Sequence, residues 1–303
     1  MSNPVSLSLP ANKTATAHAV ETRKGVLNRL RMKQIRLSSS LLADLSRVKT
    51  VSRLVQSMRN WPVSRQAFDV LAGYNRVFPD LDAARCVAEK YTECSHEGSR
   101  NAQSLSLSME STRPSDYPVL HHLSGLVHPN LKVFDLGGTM GNLFYLYDRY
   151  LSFAAGVRWT VHDLPANMNR GREIARNRTE PRVQFADSPT EATGHDVLLI
   201  SGSLHYFEFT LAGFLQGLEQ RPCHVIVNRT PLVDAPTAAA VQSIGGVTVA
   251  CKLLNRSELI AGMKEIGYEL IDSWAVQEFS IRLPYDPDYW VKAYSGLYFR
   301  ARV

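Results

Sequence analysis

Val133-Phe134-Asp135-Leu136-Gly137-Gly138-Thr139-Met140-Gly141-Asn142 is the stretch that decides the fold. An apolar run ends in an acid, a glycine-rich turn follows, and an amphipathic segment comes after it. That order predicts strand, loop and helix, an arrangement that lets a backbone press against a nucleotide-like ligand. Outward from it, strands and helices alternate from Leu131 to the end of the chain. Strands are expected at 131–135, 157–162, 182–186, 195–201, 223–228, 268–276 and 296–302, and helices at 140–151, 166–178, 208–219 and 255–266. Pro165 suits a first helical turn. Ser257 and Asn255 are the candidate caps of the last helix, and Gly267 marks its end. The fold class is therefore α/β: a doubly wound, mostly parallel seven-stranded sheet, with helices on both faces and an N-terminal helical cap. No periodic helix separates the last two strands. Pro284, Tyr285 and Pro287 read instead as a long connection that lets the last strand insert antiparallel.

Three regions are expected: a basic arm at 1–37, a helical cap region at 38–130 and the α/β domain at 131–303. The chain has 303 residues, 45% apolar and 20% charged, the composition of a folded protein. No apolar run approaches the roughly 20 residues that cross a bilayer, and residues 1–20 lack the apolar core of a signal peptide. The expected location is cytoplasmic. Cys86, Cys94, Cys223 and Cys251 have neither metal-finger nor redox spacing, so free thiols are expected rather than disulfides.

The net charge of +6 is concentrated at the N-terminus, where the first 60 residues hold eleven Lys and Arg against two acids. From Ser38, Leu41, Leu42, Leu45, Val48, Val51, Val55 and Met58 recur at helical spacing, up to Trp61-Pro62. Two readings of this basic amphipathic helix stand: packing on the main domain with a solvated basic face, which is favoured, or weak contact with an anionic membrane surface. A nucleic-acid partner is not expected. The polar stretch from Ser95 to Ser115 reads as a lid or a linker.

The loop spacing is D-x-G-x-x-x-G, on Asp135, Gly137 and Gly141. Thr139 occupies the second glycine position of a dinucleotide fingerprint, and no Gly-Lys-Ser/Thr follows, so neither that fingerprint nor a P-loop is present. The loop has no basic residue to meet a pyrophosphate, which favours a nucleoside ligand without one. The second strand ends in His162-Asp163-Leu164-Pro165, where an acid can accept hydrogen bonds from both hydroxyls of a ribose. Phe185-Ala186-Asp187-Ser188 follows the third strand, and the fourth runs out through Ser201-Gly202-Ser203-Leu204-His205-Tyr206-Phe207.

In this order the pieces resemble the motifs of S-adenosylmethionine-dependent methyltransferases with a seven-stranded Rossmann-like fold. The Gly-Gly and Asp-Leu-Pro pieces are especially similar to small-molecule O-methyltransferases. More narrowly, the chain resembles a bacterial methyltransferase family associated with surface-polysaccharide genes. The resemblance covers about residues 110–303. Turn glycines and surface acids of another Rossmann-like sheet are the alternative.

The resemblance implies these roles. Gly137, Gly138 and Gly141 let the backbone approach the methionine part of S-adenosylmethionine, and Asp135 orders the loop and the ligand's ammonium. Asp163, with Leu164 beside it, holds the ribose; Asp187 and Ser188 lie by the adenine; Ser201 lies at the amino-acid end. The family's catalytic His usually falls near the fifth strand, but His224 stands at the wrong end of it, so His205 is the candidate by position. Arg113, Tyr117, Tyr206 and Arg229 are the candidate acceptor-binding residues. Arg113 suits a carboxylate or phosphate and Tyr117 a sulfonium. Arg229 either meets the acceptor or pairs with Asp234 or Glu278. His121-His122 lacks a carboxylate at metal spacing, so no metal is expected. The expected function is methyl transfer to a small molecule or glycan precursor, through O-methylation. A cofactor-binding scaffold or adaptor without catalysis is the alternative.

Overall fold

A computed structural model of the chain describes residues 76–91, 111–244, 247–283 and 285–302. They belong to one compact unit, 74–303. The basic arm at 1–37, the amphipathic stretch at 38–61 and residues 95–110 of the polar stretch lie outside the described residues.

The elements in chain order are α1 (Leu81–Tyr91), α2 (Asp116–Ser124), β1 (Lys132–Leu136), α3 (Asn142–Leu151), β2 (Arg158–His162), α4 (Pro165–Asn177), β3 (Val183–Phe185), β4 (Val197–Ser201), α5 (Leu211–Gln216), β5 (His224–Thr230), β6 (Leu232–Val233), β7 (Ala238–Ile244), β8 (Val247–Asn255), α6 (Arg256–Glu265), β9 (Tyr268–Val276) and β10 (Tyr294–Ala301). The large sheet has the order β3-β2-β1-β4-β5-β10-β9. β1 to β5 run parallel, and β10 inserts antiparallel between β5 and β9, as the missing helix predicts.

Alternation along the strands sends side chains to both faces. Val133, Trp159, Val161, Val197, Leu199 and Ile226 pack under α2, α3 and α4. Phe134, Leu136, Leu198, Ile200, Val225 and Val227 pack under α5 and α6. Because both faces are covered, β4 reads as the unbroken apolar run Val-Leu-Leu-Ile. Pro165 opens α4, and Asn255 caps α6 by accepting from Glu258 N (2.8 Å).

One part of the architecture departs from expectation. Residues 232–255, most of which were given no element in the sequence reading, form a second sheet of order β6-β8-β7, inserted between β5 and α6. β7 and β8 pair antiparallel down to Ile244 and Val247, and α1 packs on both. The Gly245-Gly246 pair between two β-prone runs is a hairpin signal that the reading of isolated strands passed over. No helix among the described residues is long and apolar enough to cross a membrane. Cys86 and Cys223 are free and exposed, and Cys251 is free and buried.

Candidate functional site

The chain winds outward from β1 to β3, then returns to start β4 on the other side of β1. The loops after β1 and β4 therefore diverge, and the crevice at the carboxyl ends of these strands is where an open α/β sheet takes its ligand. Gly137 has φ 78° and donates its N–H to His162 O (2.7 Å). Ser203 donates its hydroxyl to Leu136 O (2.6 Å), and a Cβ on Gly137 would lie 2.2 Å from Ser203 Cβ. A Cβ on Gly138 would lie 2.4 Å from the Asp135 carboxylate. The two glycines thus answer to the protein's own packing: one lets the β4 loop close in, the other leaves room above a buried acid. Gly141 caps α3 in the left-handed region.

Asp135 is 1% exposed. Trp159 Nε1 donates to its Oδ2 (3.1 Å), while Oδ1 has no partner among the described residues. Burial pushes this carboxyl up to about 7, the Asp163 charge adds to the rise, and the Trp159 bond opposes it. Asp163, one strand over, takes three donors: Thr139 N on Oδ2 (2.9 Å), and Leu164 N (2.7 Å) and Asn167 Nδ2 (2.5 Å) on Oδ1. A carboxylate has about four acceptor sites, so Asp163 pins the loop with capacity to spare. Leu164 is exposed on the same edge.

The other candidates are placed less uniformly. Asp187 is exposed and paired with Arg172 (2.9 Å). Ser188 is a capping residue: its hydroxyl accepts from Thr190 N (3.3 Å) and its N–H donates to Glu191 Oε1 (3.0 Å). Ser201 ends β4, with its hydroxyl 3.4 Å from both Asn228 Nδ2 and Arg229 Nη1. Arg113 and Tyr117 are exposed, and the Arg113 guanidinium lies over the Phe279 ring (5.5 Å). Tyr206 donates to Gln242 Oε1 (3.1 Å), and Gln242 Nε2 donates to the Tyr294 hydroxyl.

Two expectations change in detail. Arg229 pairs with Asp116 (2.7 Å) rather than with Asp234 or Glu278. His205 is 2% exposed between Tyr206 and Tyr294, with its Nδ1 unpartnered among the described residues. Burial, helped by Lys252, pushes its imidazole down to about 3. That setting favours a neutral hydrogen-bonding ring, because a general base serves best with a pKa near the working pH. His224 does open β5 at its amino end, where its Nδ1 meets the Tyr298 hydroxyl (2.8 Å).

Trp159 and Tyr147 were passed over in the sequence, while Thr139, Ser203, Ser115, Asp116 and Asn228 lie in segments read as facing the ligand or acceptor but had no role of their own. Thr139, with φ 56°, stands where a glycine is usual, which was a usable signal. Trp159 reads as an ordinary strand residue and Tyr147 as an ordinary helix residue, and the Asp116–Arg229 contact spans 113 positions. Among the described residues, no group of His, Cys, Asp or Glu is arranged to hold a metal.

No family model and no curated protein matches the chain. Among solved structures, it is similar to the 1,6-didemethyltoxoflavin-N1-methyltransferase of Burkholderia thailandensis, solved with 1,6-didemethyltoxoflavin and S-adenosylhomocysteine. The identity is 19%, over 73% of this chain and 90% of that one, with TM-score 0.44. It is also similar to the geranyl diphosphate C-methyltransferase of Streptomyces coelicolor A3(2), at 13% identity over 61% of this chain and 79% of that one, TM-score 0.43. A third is the [4+2]-cyclase SpnF, at 13% identity over 64% and 85%, TM-score 0.42. No functional conclusion rests on likenesses of this degree.

Proposed function

We propose that the chain binds S-adenosylmethionine at the carboxyl edge of its large sheet and transfers the methyl group to a small molecule, with a hydroxyl of a sugar or glycan precursor as acceptor. The observation that carries the reading is the pair of acids on adjacent strand tips. Asp135 keeps one buried oxygen unpartnered among the described residues, and Asp163 keeps acceptor capacity beside a glycine loop that has no cation. These residues fit the proposed ligand. The buried Asp135 would favour an ammonium above the loop through its charge, a vicinal diol would use the rest of Asp163, and nothing in the loop calls for a phosphate.

When bound, the cofactor would supply an electrophilic sulfonium methyl in line with the acceptor hydroxyl, leaving as a thioether while the hydroxyl proton passes to solvent. The protein's part is alignment and exclusion of water. The wall from Ser201 to Tyr206 borders the crevice, and His205, uncharged in its buried setting, serves it as a hydrogen-bonding ring. Titration calorimetry with S-adenosylhomocysteine tests the reading. Wild type is expected to bind, Asp163→Ala to lose at least tenfold in affinity, and Asp135→Asn to lose a comparable factor. No binding by the folded wild-type chain would sink the proposal. Incubating the chain with methyl-labelled cofactor and a panel of sugar nucleotides and phenols then sorts the acceptor.

A further inference from the structure

A second constellation occupies the same edge. Arg229, near the end of β5, has φ 53°, in the left-handed region that residues with a side chain rarely adopt. Each of its three guanidinium nitrogens donates once: Nε to Ser115 Oγ (2.9 Å), Nη2 to Asp116 Oδ1 (2.7 Å) and Nη1, at the limit of a hydrogen bond, to Ser201 Oγ (3.4 Å). Asp116 is 1% exposed. Its Oδ1 also accepts the Tyr147 hydroxyl (2.8 Å), and its Oδ2 accepts Arg113 N (2.9 Å). Ser115 donates its N–H to Glu278 Oε1 (2.8 Å), and its carbonyl accepts from Asn228 Nδ2 (3.0 Å). Residues from α3, β5 and the segment after β9 thus converge on one short turn, 113–117, at the start of α2.

Stability is a poor explanation for this arrangement. Burying an ion pair costs desolvation that its attraction barely returns, and apolar pairs of equal volume do as well. What a planar guanidinium spread over one carboxylate oxygen and two hydroxyls does supply is a defined geometry. Here that geometry is held in a strained backbone at the strand tips, beside a candidate cofactor residue, and from the fastened turn Arg113 and Tyr117 project exposed.

We propose that Arg229 is a positioning residue. Through Asp116 and Ser115 it holds the 113–117 turn across the ends of β4 and β5, so that this turn and the Ser201 hydroxyl form one rigid wall of the ligand crevice. The identity of the ligand rests on the function proposed above; the hold on the turn does not. Arg229 then acts on the ligand through Ser201 and the turn, with no contact of its own.

The test uses the full chain, with S-adenosylhomocysteine as the probe. Arg229→Lys keeps the charge and loses the planar donor set that reaches Ser115, Asp116 and Ser201 together. Measured at a temperature where circular dichroism shows it folded, it is expected to bind the probe at least tenfold more weakly. The Asp116 and Tyr117 amides, which donate to Arg113 O and Pro114 O, are expected to exchange hydrogen at least tenfold faster, with β1 and β4 amides unchanged. Combining it with Asp116→Asn is expected to add less than the second single change alone, since both break one contact. Wild-type affinity and unchanged exchange at the turn in folded Arg229→Lys would overturn the proposal and leave a merely structural pair. Should that variant not fold, Ser115→Ala removes the Nε partner, together with the hydroxyl's contact to Glu278, and carries the same two readouts, with a threefold or greater loss expected. If wild type does not bind the probe, the functional reading fails, and the exchange measurement alone decides whether Arg229 holds the turn.

Discussion

Asp135 sets the most informative titration in the molecule. Its folded pKa of about 7 lies above its ordinary value, so the folded state holds a proton that the unfolded chain has released. The sign follows from linkage: stability is fully present below about pH 4 and is lost as pH rises through about 7. A rise of about three units corresponds to about 4 kcal/mol as an upper figure. Asp135→Asn is therefore expected to raise the urea midpoint at pH 8 and to flatten its fall between pH 5 and 8. A midpoint with the same slope in both proteins would show that Asp135 is ionised throughout. At Gly137, alanine must enter a positive-φ site and meet Ser203 at 2.2 Å. Steric overlap and backbone strain together put the loss at about 3 kcal/mol or more, read as the shift in denaturant midpoint.

Among the elements, α6 shows how a local signal and a tertiary one combine. Asn255 accepts from Glu258 N as a cap, and its Nδ2 also donates to Asp234 O (3.1 Å) and Ala235 O (2.9 Å). Losing an N-cap alone costs about 1 kcal/mol. The two carbonyls left unsatisfied bring the expected cost of Asn255→Ala to about 2–3 kcal/mol, measured by chemical denaturation. The capping half of this was legible, because Asn255 precedes a helical pattern that ends at Gly267. The carbonyl half was not, since it requires knowing that residues 232–255 fold back as β6, β7 and β8. The alternating elements of the large sheet were read to within a few residues because each carries its own period and breakers. The inserted sheet was missed because β6 has two residues and β7 opens on three alanines; the β-prone run of β8 and the Gly245-Gly246 pair before it were the signals passed over.

On the scale of the whole molecule, a ligand that binds only the folded state stabilises it by mass action. At one hundred times its Kd the gain is about 2.7 kcal/mol. For a domain of this size, about 2–4 °C per kcal/mol makes the expected rise in Tm with S-adenosylhomocysteine about 5–10 °C. A scan without displacement at that concentration would contradict the proposed ligand. The charge asymmetry makes a separate prediction. Deleting residues 1–60 removes eleven basic side chains and two acids, and binding of the full chain to anionic vesicles at low salt is expected to disappear with them. Affinity for the cofactor product should stay within twofold; a larger change would tie the arm to the ligand crevice.

Sequence alone determined the α/β class, the seven-stranded order of elements, the antiparallel last strand and the position of the glycine loop with its two acids. These follow from apolar periodicity, glycine and proline placement and the rule that ligands sit at a switch point, all of which act over a few residues. Tertiary structure alone decided what those residues touch. The depth of Asp135, its bond to Trp159, the occupation of Gly137's space by Ser203, the neutral setting of His205 and the Arg229–Asp116 ion pair depend on strand register and on contacts between segments far apart in the chain. Burial and long-range pairing are properties of the packed whole, and no local pattern encodes them.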